Sequence, residues 1–314
     1  MNYPYANGYI KAIENKLLDK SKLGKLCKTE KQDFYEVLLD LGYGTSGSNV
    51  EELIESELSG LRNLIDELTP EKKYTDLFFL SIDAINIKAY YKMKLFSKVD
   101  TDFYSETGNL PKGELQKAIF ENDYSALSKT YQKFLENLDK NLAGIESPRT
   151  LSSKIDNAIF KFVNKALSFT NKTALKTYFK LSADLKNTLS LIRSSKLNWE
   201  FEDFQEMYIE NGEIELSVFE KVYIEDKNGI ILAFRDYYQE RLATGLKRYF
   251  EGEDLDALEK YFDRLVLDIM KSYRDDAFDI GPMFYYYLLK QTEAKNIKMI
   301  YASENPDLSG LIEY

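Results

Sequence analysis

Apolar residues along this chain return at steps of three and four. From Asp76 to Leu95 they fall at Leu77, Leu80, Ala84, Ile87 and Tyr91, a single stripe along an α-helix. Segments of the same period fill most of the sequence. At about 1.5 Å per residue, a 20-residue run makes a rod of about 30 Å. Gly (15) and Pro (6) are scarce, so few breakers interrupt these runs. Pro70 and Pro148 fall in connecting segments, and Pro282 suits the first turn of a helix. Ile224 to Ala233, with Lys227-Asn228-Gly229, is the one stretch that reads as a short irregular element or hairpin. The pattern predicts an all-α protein.

The helical pattern repeats. Three long segments carry an acid followed three residues later by asparagine: Asp83 and Asn86, Asp184 and Asn187, Glu293 and Asn296. The acids lie 101 and then 109 residues apart. Upstream of each is another acid in a helical context, Glu55, Asp156 and Asp263, at separations of 28, 28 and 30 residues. Each of these upstream acids has an apolar residue just before it and another three after it, on one helical stripe. Gly108 in TGNLPKGEL and Gly212 in ENGEIEL, 104 residues apart, mark the joins. The chain therefore divides into three similar helical units, 1–107, 108–211 and 212–314. On a helix, acid-x-x-Asn puts both side chains on one face. Two readings stand. The pair bonds neighbouring backbone and fixes the packing of its unit, or it lines a polar surface around a shared axis.

Composition narrows the function. The 314 residues, 44% of them apolar, suffice for a large core. Histidine is absent, which removes the side chain that titrates near neutrality and the commonest transition-metal ligand. The single cysteine, Cys27, permits no disulfide within the chain and reads as a small buried apolar residue. No secretory leader is visible, and no stretch reaches the roughly 20 apolar residues of a membrane helix. Phe284 to Leu289 is apolar but short, and Lys290 ends it. A net charge of −10 argues against nucleic acid as a partner. The charge is uneven. Glu200 to Lys227 holds ten acids and two lysines, whereas Leu151 to Asn198 holds nine basic residues and two acids. These are either solvated helix faces or a basic and an acidic surface meeting different partners. In the basic stretch Lys161, Lys165, Lys172, Lys176 and Lys180 are the candidate interface residues.

Candidate chemistry is thin. No phosphate-binding glycine loop, no Ser/His/Asp set and no Cys/His set is present, so no catalytic residue, cofactor or metal is expected. The sharpest alternative is DDAFD. Asp275, Asp276 and Asp279 have the spacing with which all-α isoprenoid synthases hold magnesium against a diphosphate. No basic cluster follows the motif, and no second Asp-rich motif faces it. A helical adaptor of some other assembly is a further alternative.

Several motifs, in order, resemble a known family. They are YPYANGYIKAIENKLL at the start, LGYG at Leu41 to Gly44, LSIDAINIKAYYKMKL, ADLKNTLSLIR, and the closing GPMFYYYLLKQTEAKNIKMIY. Together they are similar to the C-subunit family of archaeal and bacterial V/A-type ATPases, whose eukaryotic counterpart is the d-subunit. The first signature helix ends in Lys92 and Lys94, and the last has Lys298, where the family often has Arg; lysine keeps the charge but loses the planar fork. The resemblance implies a funnel of three helical units about a pseudo-threefold axis. It implies a non-catalytic rotor part, one copy per complex, peripheral on the cytoplasmic face of the membrane. Its expected partners are the D and F components of the central stalk and the membrane rotor (proteolipid) ring. Through them, ATP hydrolysis or synthesis would be coupled to H⁺ or Na⁺ transport.

Overall fold

The structure, a computed structural model, describes residues 2–96 and 104–314. Every regular element among them is helical. The chain forms two compact units.

The first unit joins the two ends of the chain, residues 1–78 and 260–314. Its early helices are α1 (Tyr3–Ile13), α2 (Lys20–Cys27), α3 (Phe34–Asp40), α4 (Val50–Leu68) and α5 (Lys72–Thr75). The second unit, 79–259, holds α6 (Leu80–Phe96), α7 (Lys112–Gln116), α8 (Lys129–Leu142), α9 (Pro148–Leu167), α10 (Thr173–Lys196), α11 (Phe201–Met207), α12 (Leu216–Val222), α13 (Lys227–Ala233) and α14 (Arg241–Phe250). Helix α15 (Leu255–Met270) begins there and continues into the first unit, which ends with α16 (Gly281–Ala302). The joins expected near 107 and 211 both fall inside the second unit.

Helix starts follow ordinary capping chemistry. The side chains of Asn2, Asp19, Asn49, Ser128, Ser147 and Asp226 each accept a backbone N–H of the first turn they precede, satisfying donors that have no intrahelical partner. Pro148 and Pro282 stand at the start of α9 and α16. The Asp226 cap decides the stretch read as irregular. Its carboxylate accepts the Gly229 N–H at 2.8 Å, and Lys227–Ala233 is helix, not hairpin. Lys-Asn-Gly is a turn signal only where nothing upstream caps a helix.

In the first unit α16 packs against α1, α2 and α4. From Gly281 to Lys290 every residue of α16 is buried, so the first half of this helix is surrounded on all sides, and up to Leu289 it is apolar or aromatic all round. Cys27, at the end of α2, is half-buried rather than buried. In the second unit α6 packs against α9, as do α8, α10 and α11. One of its cores joins Ile87, Tyr91, Leu115, Ile119, Leu135 and Ile155. The core is aromatic elsewhere too: Phe204 and Phe219 meet at 5.4 Å between ring centres, as do Phe219 and Phe234.

Candidate functional site

The three acid-x-x-Asn pairs are fully buried; all six side chains have no exposed area. Each asparagine holds one residue of a later segment by both backbone groups. Asn86 donates to the Ser105 carbonyl and accepts the Ser105 N–H, at 2.9 and 3.1 Å. Asn187 does the same to Ile209 at 2.8 Å each way. Asn296 does so to Ile312 at 2.8 and 2.9 Å. A primary amide is the side chain that can pair like a strand neighbour, with one donor and one acceptor presented together.

The acids grip a point slightly farther on. Asp83 accepts the N–H groups of Asn109 (2.7 Å) and Leu110 (3.2 Å). Asp184 accepts those of Glu213 (2.8 Å) and Ile214 (3.2 Å), together with the Tyr238 hydroxyl. A tyrosine closes each loop from the other side. Tyr104 donates to the Leu110 carbonyl at 2.6 Å and Tyr208 to the Ile214 carbonyl at 2.8 Å. The result is a latch, in which a helix, a returning loop and the start of the next helix are pinned by one carboxylate and one amide.

The third latch uses the beginning of the chain. Glu293 accepts the Leu18 N–H at 2.5 Å, and Tyr314 donates to the Leu18 carbonyl at 2.7 Å. Leu18 therefore occupies the place of Leu110 and Ile214. Each is followed within two residues by a helix: α2, α7 and α12. The register continues. Leu23, Leu115 and Phe219, five residues on, are all buried, as are Leu26, Ala118 and Val222 at eight. What the chain does twice by folding forward, it does the third time by joining its end to its start.

The glycines at the expected joins are explained by the latches. A Cβ on Gly108 would stand 2.6 Å from Asp83 Oδ1, and one on Gly212 would stand 1.9 Å from Asp184 Oδ1. In the third latch the corresponding residue, two before Leu18, is Lys16. There the acid is glutamate, longer by one methylene than the aspartates of the other two.

Burial sets the electrostatics. Loss of hydration pushes the Asp184 carboxyl up to about 6, opposed by the donors of Tyr238, Glu213 and Ile214. Burial likewise raises Glu293, with Lys290 and the Leu18 N–H opposing. Burial first, then the Asp184 charge, raises Tyr238, which stays a donor. Tyr238, Gln239 and Glu240 all have left-handed backbone, with φ of 53°, 57° and 63°. For L-residues this costs roughly 1–2 kcal/mol each. Gln239 is exposed, so Gln239→Gly is expected to stabilise the protein by about 1 kcal/mol, read as a higher urea midpoint.

Tyr104, Tyr208, Leu18 and Tyr238 are not evident in the acid-x-x-Asn pattern. A signal for the tyrosines exists: Tyr104, Tyr208 and Tyr314 follow their acids by 21, 24 and 21 residues.

The candidate interface lysines do not form one surface. Lys172 is buried. Lys176 donates to the Thr170 carbonyl at 2.6 Å. Lys161 pairs with Glu210 at 3.4 Å and Lys180 with Glu213 at 2.8 Å. Arg149 pairs with Asp203 at 2.8 Å. Two of the nine basic residues of Leu151 to Asn198 thus pair with acids of Glu200 to Lys227 within the second unit. Lys165 stays exposed beside a groove between α8 and α9. The DDAFD run lies in turns before α16, not on a helix face. Asp275 meets Arg274 at 3.4 Å, Asp276 accepts the Phe278 N–H, and Asn7 donates to the backbone carbonyls of Ala277 and Asp279. No helix among the described residues is long and apolar enough to cross a membrane.

The sequence signature of the ATP synthase (C/AC39) subunit matches residues 6–306, nearly the whole chain. The chain belongs to the ATP synthase (C/AC39) subunit family. Relatives agree. The C-subunit of the A-type ATP synthase of Desulfurococcus sp. (strain SY) is 27% identical over 236 residues, and that of Thermococcus onnurineus (strain NA1) 27% over 239. The corresponding protein of Thermococcus kodakarensis is 25% identical over 239 residues. Each match covers 68% of this chain and 63% of the relative, so the aligned part spans less than two thirds of those proteins. In this C/AC39 member the three acid-x-x-Asn helices are the latch helices, and LGYG places the Tyr43 ring 4.8 Å from the buried Lys290 ammonium.

Proposed function

We propose that this chain is the non-catalytic coupling component of an A/V-type ATP synthase, joining the D and F components of the central stalk to the membrane rotor ring at the cytoplasmic face. The observation that carries the reading is the cyclic equivalence of the three latches. Contacts between repeats follow the same cycle. The latch helix of the first repeat, α6, packs on α9 of the second, with Lys88 and Asp156 paired at 2.7 Å. Arg193 of α10 pairs with Glu259 of α15 in the third. Helix α16 of the third packs on α4 of the first.

The reading also gives the latch helices a free side. Residues two beyond each acid lie about 200° from it around the helix, and all three, Ile85, Lys186 and Lys295, are exposed. Lys186 reaches solvent in crowded surroundings. Desolvation lowers its pKa, Asp156 opposes this, and Lys88 and Arg193 add to it. We assign the exposed strip of α6 and α10 in the second unit, with Ile85 and Lys186, to the stalk-facing side. Torque transmission needs stiffness, and helices pinned by buried, fully bonded carboxylates deform little because interiors are close-packed.

The test is reconstitution. The full chain, added to detergent-extracted ring and to the D–F pair, should bind both and bridge them at one copy per complex. Charge reversal at Lys186 should weaken D–F binding at least tenfold and leave ring binding unchanged. Absence of co-elution with either partner would sink the reading.

A further inference from the structure

Helices α8 and α9 lie side by side and leave a groove of about 790 Å³. Its floor is apolar: Phe134 and Leu138 from α8, Ala158 and Phe162 from α9. Phe162 meets Phe134 edge-on, 5.3 Å between centres, so the floor is firmly packed. On α8 the lining runs from Lys129 to Asn141, about 18 Å or three helical turns.

The rim is basic on both sides. Lys129, Lys133 and Lys140 stand along α8, and Lys161 and Lys165 along α9, all exposed. Lys161 has an exposed partner in Glu210 at 3.4 Å, a pair that water screens; the other four have no ion pair among the described residues. The acids of α8 are engaged away from the groove. Asp139 accepts from Tyr91 and Lys94, and Glu136 from Gln132. The lining contains no Asp or Glu. Five cations around an apolar trough are unusual on a chain of net charge −10. At physiological salt the screening length is about 8 Å, so a docked ligand feels the rim and little of the distant acids.

We propose that this groove is a docking site for an acidic amphipathic helix of a partner protein, of about three turns. Apolar side chains at i, i+4 and i+7 would seat on Phe134, Leu138, Ala158 and Phe162, and carboxylates on either flank would meet the two rows of lysines. A concave trough between two packed helices fits a third rod. A bilayer presents a broad plane instead. The assignment is independent of the stalk and ring contacts proposed above, because it rests on α8 and α9 and not on the latch helices.

The experiment uses the full chain and a synthetic 14-residue helix with leucines at i, i+4 and i+7 flanked by glutamates. Binding is read by fluorescence anisotropy. The expected result is saturable binding that weakens with added salt and falls at least tenfold in the triple variant K133E/K161E/K165E. Ala158→Trp, which fills the floor and leaves every charge in place, should weaken it as much. A scrambled peptide of the same composition should bind at least tenfold more weakly. Circular dichroism and the thermal midpoint establish that the variants are folded, and the charge triple serves alone should the tryptophan unfold the site. The proposal is overturned if the scrambled peptide binds equally well, or if the folded variants bind like the parent. It is also overturned if no binding is seen up to about 100 μM peptide, or if phosphatidylglycerol vesicles but not the peptide respond to the lysine reversals.

Discussion

Gly212→Ala should cost about 3 kcal/mol of stability or more, although the change adds one methyl group. The reason is contact, not backbone freedom, because Gly212 does not have the left-handed φ seen at Gly42 or Gly44. Its added Cβ would meet Asp184 Oδ1 at 1.9 Å and Cγ at 2.7 Å. The carboxylate cannot swing aside cheaply. It is short, fully buried, and held by Glu213, Ile214 and Tyr238. Displacing it strands a buried charge and three donors together, and unmade bonds of that kind cost about 1–3 kcal/mol each. Gly108→Ala should cost less, since its Cβ would come only to 2.6 Å of Asp83. Gly60→Ala is the control. Gly60 lies inside α4, is exposed, and would meet nothing within 4 Å; replacement there should add about 0.5–1 kcal/mol. Urea midpoints in the order Gly60→Ala, parent, Gly108→Ala, Gly212→Ala would support the latch. Equal midpoints for the last two and the parent would reject it.

The same comparison shows what the one-dimensional pattern could carry. Helical period marked the long helices, because each buries a stripe. It marked acid-x-x-Asn as one face because three residues span most of a turn. It marked Gly108 and Gly212 as expected joins, and both lie inside the second compact unit. What those glycines touch is not local. Asp83 lies 25 residues before Gly108, and Asp184 lies 28 before Gly212, with intervening backbone whose path no periodicity records. The third latch is harder still, since Glu293 and Leu18 stand 275 residues apart. Charge misled for a related reason. The acidic and basic stretches stand out as opposite blocks, yet Arg149, Lys161 and Lys180 face Asp203, Glu210 and Glu213 across the same unit. Such exposed pairs are worth roughly 0–1 kcal/mol each. They offset part of the contrast between the two stretches without contributing much to the fold. DDAFD misled because spacing says nothing of conformation, and three aspartates in a turn do not share a helix face.

Lys290→Met should be the most damaging single change in the first unit, by about 3–5 kcal/mol at neutral pH. Lys290 is 4% exposed. Its ammonium pairs with Glu57 at 2.5 Å and with Glu293, over the ring of Tyr43. Glu57 in turn accepts the Gly44 N–H at 2.9 Å, so one cation ties LGYG, α4 and the third latch together. Methionine fills the space but leaves two carboxylates facing each other, one of them wholly buried. The pH dependence has a definite sign. Burial already raises the Glu293 carboxyl above its ordinary value, and Lys290 is the main opposing influence. Removing that cation raises it further. A carboxyl with a raised folded-state pKa binds its proton more tightly in the folded protein. The variant should therefore gain stability as pH falls through the folded pKa, approaching its full recovery below the unfolded value of about 4.3. Adding Glu293→Gln should restore most of the loss at pH 7, because the amide oxygen still accepts the Leu18 N–H and no buried charge remains. Thermal midpoints of the parent, single and double variants from pH 7 to 5 decide the matter. A single variant whose deficit stays constant across that range, or a double variant no better than the single, would remove Lys290 from the latch.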